Sequence, residues 1–321
     1  MIMPSNSIKA IIVDQSDTER LAVRSINLRP AAPGEITVRV TAISLNRGET
    51  KRALTITETG TCPGWDFAGA VEETGGASGA PDVGTRVVGV LPIGAWAERV
   101  HAPLNSIAVI PEGVTDAEAA CLPVAGLTAL HALRKGGLLL GRKVLVDGAS
   151  GGVGNFAIQL AAASGAQVYS HIRRPEQSVL VEASSTGGVV LGKTLEAARP
   201  SGPFDLIIDS VGGSALSSAM TMLRRNGVCV TVGATEGEQV SFDITAFFRA
   251  SGTSLLGLVL GDDIAVTESA SEGLALLLRL VKQGVLKPSI GIEAPWTEVA
   301  KVARQLLDRG FSGKAVLHLP R

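Results

Sequence analysis

The chain has 321 residues and a formal net charge of -1 at pH 7, with 45% apolar and 3% aromatic residues. That length suggests two domains around a sizeable core. The near-neutral balance gives no reason to expect a nucleic-acid partner, and no uncharged apolar run is long enough to span a bilayer. Abundant Ala, Val, Leu and Gly suit parallel strands covered by helices. Cys62, Cys121 and Cys229 lie far apart without metal-ligand spacing, and no basic-then-apolar leader opens the chain. Both features fit a reduced, cytoplasmic protein.

In chain order, Ser7–Val13 and Ile36–Ala42 read as strands, separated by Pro30, Pro33 and Gly34. Val71 begins another, and Gly84–Val90 and Gly94–Val100 add two more. Short strands with close Gly/Pro punctuation suggest a β-rich domain or partial barrel. The pattern changes near Pro111. Thr115 or Asp116 opens a helix, and Pro123–Gly136 holds a second. From Lys143 strands alternate with helices. Phe204–Asp209, Val228–Val232 and Leu255–Leu260 are strand candidates, and Ser214–Arg224 and Glu268–Gly284 helical ones. The alternation implies an α/β architecture with a doubly wound parallel sheet. After Pro288 come a strand, a helix through Trp296–Arg309 and a last strand Lys314–Leu319, which suits completion of the N-terminal β domain. The expected division is 1–121 with 263–321 for the β-rich domain and 122–262 for the parallel-sheet domain.

Lys143–Gly154 is the organising stretch. Val144–Val146 is a strand, Gly148, Gly151, Gly152 and Gly154 follow, and Asn155–Ala163 is a helix-forming run. Strand, glycine turn and helix form the context of a dinucleotide-binding turn, with a pyrophosphate at the helix N-terminus. The match is imperfect, since Ala149 takes the first glycine place in Ala149-Ser150-Gly151-Gly152-Val153-Gly154. About 20 residues on, an NAD-binding unit places an acid for the ribose 2′-hydroxyl. Here His171, Ile172, Arg173 and Arg174 stand, with no acid before Glu176. Two guanidiniums suit a 2′-phosphate, hence NADPH. The alternative is a solvated basic turn before a helix starting at Pro175.

The motif order resembles the medium-chain dehydrogenase/reductase superfamily, and within it the zinc-free quinone oxidoreductase branch. The likeness covers nearly the whole chain. It rests on Ser44-Leu45-Asn46, Pro63–Gly69, Pro123–Ala129, Gly148–Gly154, Asp209–Gly213, Val232-Gly233-Ala234 and Gly313–Leu317. The resemblance implies a GroES-like N-terminal domain, a Rossmann domain and a cofactor cleft between them. It places Asn46 and Thr128 near a nicotinamide, with Ser150, Gly151, Gly152, Val153, Arg173, Arg174, Ser210, Val211, Gly233 and Ala234 as further cofactor-binding positions. Asn46 is the one catalytic candidate. Where zinc-dependent members carry Cys and Gly-His-Glu, this chain has Ser44-Leu45-Asn46 and Gly64-Trp65-Asp66, and His101, His131, His171 and His318 are scattered. No metal is expected. Arg47 and Gly48 depart from the residues usual after the Asn.

No general acid is evident. Tyr169 lacks the Lys of a Tyr-x-x-x-Lys pair, Asp66 reads equally as a turn residue, and His131, one turn from Thr128, as packing. The leading expectation is an NADPH-dependent reductase of quinones or activated double bonds acting on a small molecule. The rivals are a zinc-free alcohol or aldehyde dehydrogenase and an NADPH-binding sensor with incidental turnover. Ser254–Leu260, apolar on both faces and without Lys or Pro, is expected to be an edge strand that pairs two subunits into a homodimer.

Overall fold

A computed structural model describes residues 7–320. The chain divides into two compact units, one running to Val124 and resuming at Thr267, the other Ala125–Val266.

The first unit begins with β1 (Ser7–Val13) and β2 (Leu21–Asn27), an antiparallel pair. Next come β3 (Glu35–Leu45), α1 (Arg47–Thr55), β4 (Asp66–Glu73), β5 (Arg86–Val90), β6 (Arg99–Pro103), β7 (Ile107–Val109) and α2 (Asp116–Ala120). In β3 the apolar residues Ile36, Val38 and Val40 alternate into the core, and Ile43 and Leu45 continue it. Phe67 and Trp96 fill that core from neighbouring segments. Thr115 caps α2, accepting from the Glu118 N–H at 3.1 Å while Glu118 Oε2 takes the Thr115 N–H at 2.9 Å.

The second unit holds α3 (Leu127–Arg134), β8 (Lys143–Asp147), α4 (Gly152–Ala163), β9 (Gln167–Ile172), α5 (Ser178–Val181), β10 (Gly188–Leu191), β11 (Phe204–Asp209), α6 (Gly213–Met220), β12 (Leu223–Thr231), α7 (Ile244–Arg249), β13 (Ser254–Gly257) and α8 (Leu260–Val266). Its six strands run parallel in the order β10-β9-β8-β11-β12-β13. Leu145, Phe204 and Ile207 are fully buried between the layers. The doubly wound parallel sheet expected from the alternation is present.

The chain then returns to the first unit with α9 (Ala270–Lys282), β14 (Ile290–Pro295), α10 (Val299–Leu307) and β15 (Lys314–His318). Ser269 caps α9, whose Leu274, Leu277, Leu278 and Val281 form one buried stripe. β15 pairs with β3 antiparallel, giving a sheet ordered β14-β15-β3-β4-β5-β7 with β6 also on β3. The last strand thus completes the N-terminal sheet, in a GroES-like arrangement.

Several elements depart from expectation. β4 starts at Asp66 rather than Val71, and of the 94–100 segment only Arg99 and Val100 are strand, as the start of β6, with Ala97 making a single bridge to Ala10. The helix expected over Ser214–Arg224 stops at Met220, because Leu223 pairs with Phe204 in the sheet. Left-handed Asn226 (φ 60) before Gly227 then lets β12 shift register and continue. The run Ser254–Leu260 is not one strand. Only Ser254–Gly257 pairs with β12, and Leu260 already opens α8. Asp263 of α8 is held to α3 through His131 Nδ1 and Lys135 Nζ, both at 2.5 Å, which keeps α8 with the second unit.

At one position backbone crowding dictates the residue. A Cβ on Gly69, which pairs with Val40, would lie 2.1 Å from the Arg39 carbonyl oxygen and 2.9 Å from Val40 Cα. Neither backbone atom yields without breaking the β3–β4 ladder. Gly69→Ala is expected to destabilise the fold by about 1–3 kcal/mol, read as a lower urea midpoint at unchanged slope.

Candidate functional site

In the second unit the sheet's carboxyl edge gathers four segments. Gly148 leaves β8 with φ 72, and a Cβ there would meet Ser210 Oγ at 2.5 Å. A Cβ on Gly154 would sit 2.2 Å from the Gly148 carbonyl oxygen, so α4 is pressed against the turn. Gly151 is different. It is exposed and its Cβ position meets only the Gly148 oxygen, at 3.2 Å. Gly151 caps α4, and the first N–H groups of that helix have no intrahelical acceptor. An open glycine at the start of a twelve-residue helix leaves free N–H groups where an anion such as a pyrophosphate could sit. Ser150 itself is buried, as is Thr128 on α3.

Each central strand ends in a buried polar side chain. His171, next to last in β9, stands beside Asp147 at the end of β8, with Nδ1 at 2.7 Å from Asp147 Oδ1 and Nε2 at 3.0 Å from the Gly192 carbonyl oxygen. Both ring nitrogens face acceptors, so His171 serves as a cross-tie rather than a ligand. Asp209 ends β11. It accepts from the Val211 and Gly212 N–H groups at 3.1 and 3.0 Å and from Thr231 Oγ1 of β12 at 2.9 Å. Burial pushes its carboxyl upward, against those hydrogen bonds. Ser210 Oγ donates to the Asp147 carbonyl oxygen at 3.1 Å, and a Cβ on Gly233 would lie 3.2 Å from the Ser210 carbonyl oxygen. The structure therefore brings together the glycine turn, Ser210–Val211 and Gly233–Ala234.

Arg173 and Arg174 follow β9. Gln177 Oε1 accepts both of their backbone N–H groups, at 3.2 and 3.1 Å. Arg174 Nε lies 3.4 Å from Glu176 Oε1 on the surface. Arg173 Nη1 is ion-paired with Glu236 Oε1, from the loop after β12. Glu236 and Gln177 went unmarked in the sequence. The acid absent from the usual place after β9 is supplied 63 residues on, which no local spacing reveals.

Asn46 belongs to the first unit, at the N-cap of α1. Its amide lies in a network of charged groups. Nδ2 donates to Glu49 Oε1 at 3.0 Å and to Asp66 Oδ2 at 2.8 Å, while Oδ1 accepts from Lys314 Nζ at 2.6 Å. Ser44 Oγ donates to Asp66 Oδ2 at 2.7 Å, and the Val124 N–H to Asp66 Oδ1 at 3.0 Å. Ser44, Glu49, Asp66 and Lys314 are all buried. Asp66 is thus an anchor rather than a free turn residue. Arg47 donates to the Leu306 and Leu307 carbonyls at 3.0 and 2.8 Å, capping the end of α10. Glu49 lies in a polar stretch and Lys314 opens a strand, so neither charge marks itself as buried in the sequence. The one signal was a polar residue, Ser44, inside an apolar strand.

Burial disfavours the thiolate form of Cys62, Cys121 and Cys229. Burial pushes Cys121 up to about 12, and Cys229 is pushed up as well. Among the described residues no three His, Cys, Asp or Glu side chains form a group able to hold a metal ion. No helix among them is long and apolar enough to cross a membrane.

Comparison with known proteins agrees in both units. Residues 152–279 match the family model described as zinc-binding dehydrogenase, and residues 32–112 the alcohol dehydrogenase GroES-like domain. The chain is 30% identical over 317 residues to a mycocerosic acid synthase-like polyketide synthase of Mycobacterium tuberculosis, covering 95% of this chain and only 15% of that relative's length. It is 30% identical over 323 residues to the human synaptic vesicle membrane protein VAT-1 homolog, covering 90% of this chain and 81% of that one. Among solved structures, a mycobacterial quinone oxidoreductase superposes with a TM-score of 0.84 at 24% identity, over 97% of this chain and 100% of that one. The CurK enoyl reductase gives 0.83 at 20% identity, over 98% and 100%.

The buried network carries its own pH signature. Burial, and then the charge of Asp66, hold the Glu49 carboxyl well above its ordinary 4.5. A carboxyl raised in the native state binds its proton more tightly folded than unfolded. Its stabilising contribution is therefore complete below about 4.5 and is lost as pH rises through the raised native value. Glu49→Gln keeps the shape and removes the titration. Relative to this variant, the wild type is expected to lose urea resistance as pH rises above about 4.5. Parallel profiles for the two proteins would mean that Glu49 ionises as an ordinary surface acid.

Proposed function

The chain belongs to the medium-chain dehydrogenase/reductase superfamily, in its zinc-free branch, and we propose that it is an NADPH-dependent reductase of activated carbon–carbon double bonds or quinones. Membership makes it an oxidoreductase with a nicotinamide cofactor. The finer reading is carried by one observation: the open glycine at the start of α4 lies on the same sheet edge as Arg173 and Arg174. That edge offers N–H groups for a pyrophosphate and guanidiniums for a 2′-phosphate, where an NAD-selective unit places an acid.

The nicotinamide, when bound, supplies the hydride. The protein's residues supply the rest. Gly151, Gly152 and Val153 form the cradle, Ser210, Val211, Gly233 and Ala234 line it, and Arg173 and Arg174 bind the phosphate. Thr128 and Asn46 are the positions assigned to the nicotinamide end. Asn46 has given both amide hydrogens to Glu49 and Asp66, so it orients rather than protonates, and the proton comes from water. A named enoyl reductase and a quinone oxidoreductase among the structural neighbours fit an electrophilic, conjugated substrate. The commitment of the Asn46 hydrogens also suits an NADPH-binding protein whose turnover is incidental.

We further infer a homodimer through β13. This strand is the sheet's outer edge, and Leu255 and Leu256 are 41% and 37% exposed. Three free cysteines are compatible with a cytoplasmic location.

A screen of NADPH oxidation against enones, enoyl thioesters, quinones and aldehydes tests the chemistry. Turnover of the first three classes is expected. Turnover of aldehydes alone would point to an alcohol dehydrogenase, and tight binding without turnover to a sensor. In the same assay, replacing Arg173 and Arg174 together by Ala should weaken NADPH about 10- to 150-fold more than NADH.

Light scattering should give the mass of two chains, and Leu256→Arg should shift it toward one. A single-chain mass for the wild type at micromolar concentration would exclude the β13 dimer.

A further inference from the structure

The ion pair between Arg173 and Glu236 joins two ends of the sheet that are not neighbours. Arg173 follows β9 and Glu236 follows β12, with β8 and β11 between them. Adjacent strands lie about 4.8 Å apart, so these two strand ends are about 14 Å apart. The pair therefore reaches across the carboxyl ends of β8 and β11, where the glycine turn and Ser210–Gly212 lie.

Both abutments are built. On the β12 side, the Glu236 N–H donates to the Val211 carbonyl at 2.9 Å and Thr235 Oγ1 to the Ser210 carbonyl at 3.3 Å. The Gly213 N–H donates to the Gly237 carbonyl at 3.1 Å, and a Cβ on Gly212 would lie 2.6 Å from that oxygen. The loop bearing Glu236 is thus laid directly on the Ser210–Gly213 turn. On the β9 side, Gln177 holds the backbone of Arg173. The pair itself is accessible, with side chains 30% and 37% exposed. Ion pairs of that exposure are weak and readily exchanged.

We propose that Arg173 and Glu236 form a strap over the dinucleotide crevice that a ribose 2′-phosphate opens by displacing Glu236 from Arg173. This rests on the NADPH reading given above and adds a residue to it. Glu236 is a specificity-determining residue: its carboxylate occupies the guanidinium that the phosphate needs. Carboxylate and phosphate are both anions, so the two do not share Arg173 without repulsion. A dinucleotide without the phosphate leaves the strap paired. Glu236 therefore sets how much affinity the 2′-phosphate gains.

The test titrates the purified full chain with adenosine 2′,5′-bisphosphate and with 5′-AMP, which differ only in the 2′-phosphate, at fixed ionic strength. Glu236→Gln should bind the bisphosphate about fivefold more tightly and AMP as the wild type does. Arg173→Ala should bind the bisphosphate at least about tenfold more weakly. If Arg173→Ala weakens the bisphosphate and Glu236→Gln fails to tighten it, the strap is wrong and the phosphate reading stands. If Arg173→Ala leaves the bisphosphate unaffected, Arg173 is no phosphate ligand and both readings fall. If Glu236→Gln weakens AMP, the carboxylate serves the ribose hydroxyls, which overturns the strap and favours NADH.

Discussion

Asp147 and Asp209, both fully buried, end the two central strands of the parallel sheet. A parallel sheet brings all its strand ends to one edge, where the departing loops leave backbone N–H groups without ladder partners. Asp209 satisfies two of them, on Val211 and Gly212, and ties β12 to β11 through Thr231. Asp147 does not do the same for its own turn: its Oδ1 pairs with His171 of the next strand, and its buried Oδ2 has no hydrogen-bond partner. Its backbone carbonyl instead holds Ser210. The loop after β11 is thus held twice, by the Asp209 carboxylate and by the Asp147 carbonyl, and the same two residues tie β12 to β11 and β9 to β8. Burying them is costly, since each charged form loses water, and a packing role alone would be met by an apolar side chain. Their placement under the loops, rather than in the body of the sheet, is the reason to read that edge as the working face.

The first unit solves a similar problem with a cation. Lys314 Nζ is 2.6 Å from Asn46 Oδ1, 3.2 Å from the Leu45 carbonyl oxygen and 3.4 Å from Asp66 Oδ2. A buried ammonium needs its donors used and its charge balanced. Lys314 has both, with Asp66 as the counter-charge. That leaves Glu49 as a second acid with no second base beside it, and burial, with the charge of Asp66, raises its carboxyl well above the ordinary value. Because Lys314 sits at the start of β15 and Asn46 just past the end of β3, the network also staples the returning C-terminal strand to the N-terminal sheet. The same groups that orient Asn46 hold the discontinuous unit together.

The legible features were those with local cause. The glycine turn of 148–154 announces itself because close approach of backbone demands glycine at fixed spacing, and the structure gives the reason at Gly148 and Gly154. Long apolar strands such as Phe204–Asp209 and the stripe of α9 are read from periodicity. β2 was not, because Ser25 interrupts its alternation and only Leu21 of its seven residues is buried. Helix α1 was hidden in a polar segment with Gly48 inside it. It forms because Glu49 and Thr50 are buried and Arg47 grips the end of α10. The four-residue edge strand β10 begins with Gly188 and borders Gly192. Tertiary context overrides propensity in all three. At the site, Arg173 was visible from its spacing to the glycines, whereas Glu236 depends on which strands the sheet order sets apart.

Asn46 shows how far a residue's chemistry depends on its partners. Taken alone, an Asn near a reacting carbonyl offers two N–H donors to developing negative charge. Here both are spent on carboxylates, and an amide turned the other way would set its NH2 against the Lys314 ammonium. The network therefore fixes the orientation of the amide and removes its capacity to donate. What remains at Asn46 is one lone pair on Oδ1, facing away from any oxyanion role and suited to accepting a hydrogen bond. Of the charged groups around it, Lys314 is engaged and Glu49 is buried, its carboxyl raised above the ordinary value. Proton transfer from this cluster to a substrate would have to break the balance that holds β15 to β3. Under the reductive reading, the protein's contribution is accordingly alignment, and solvent supplies the proton once the hydride has moved.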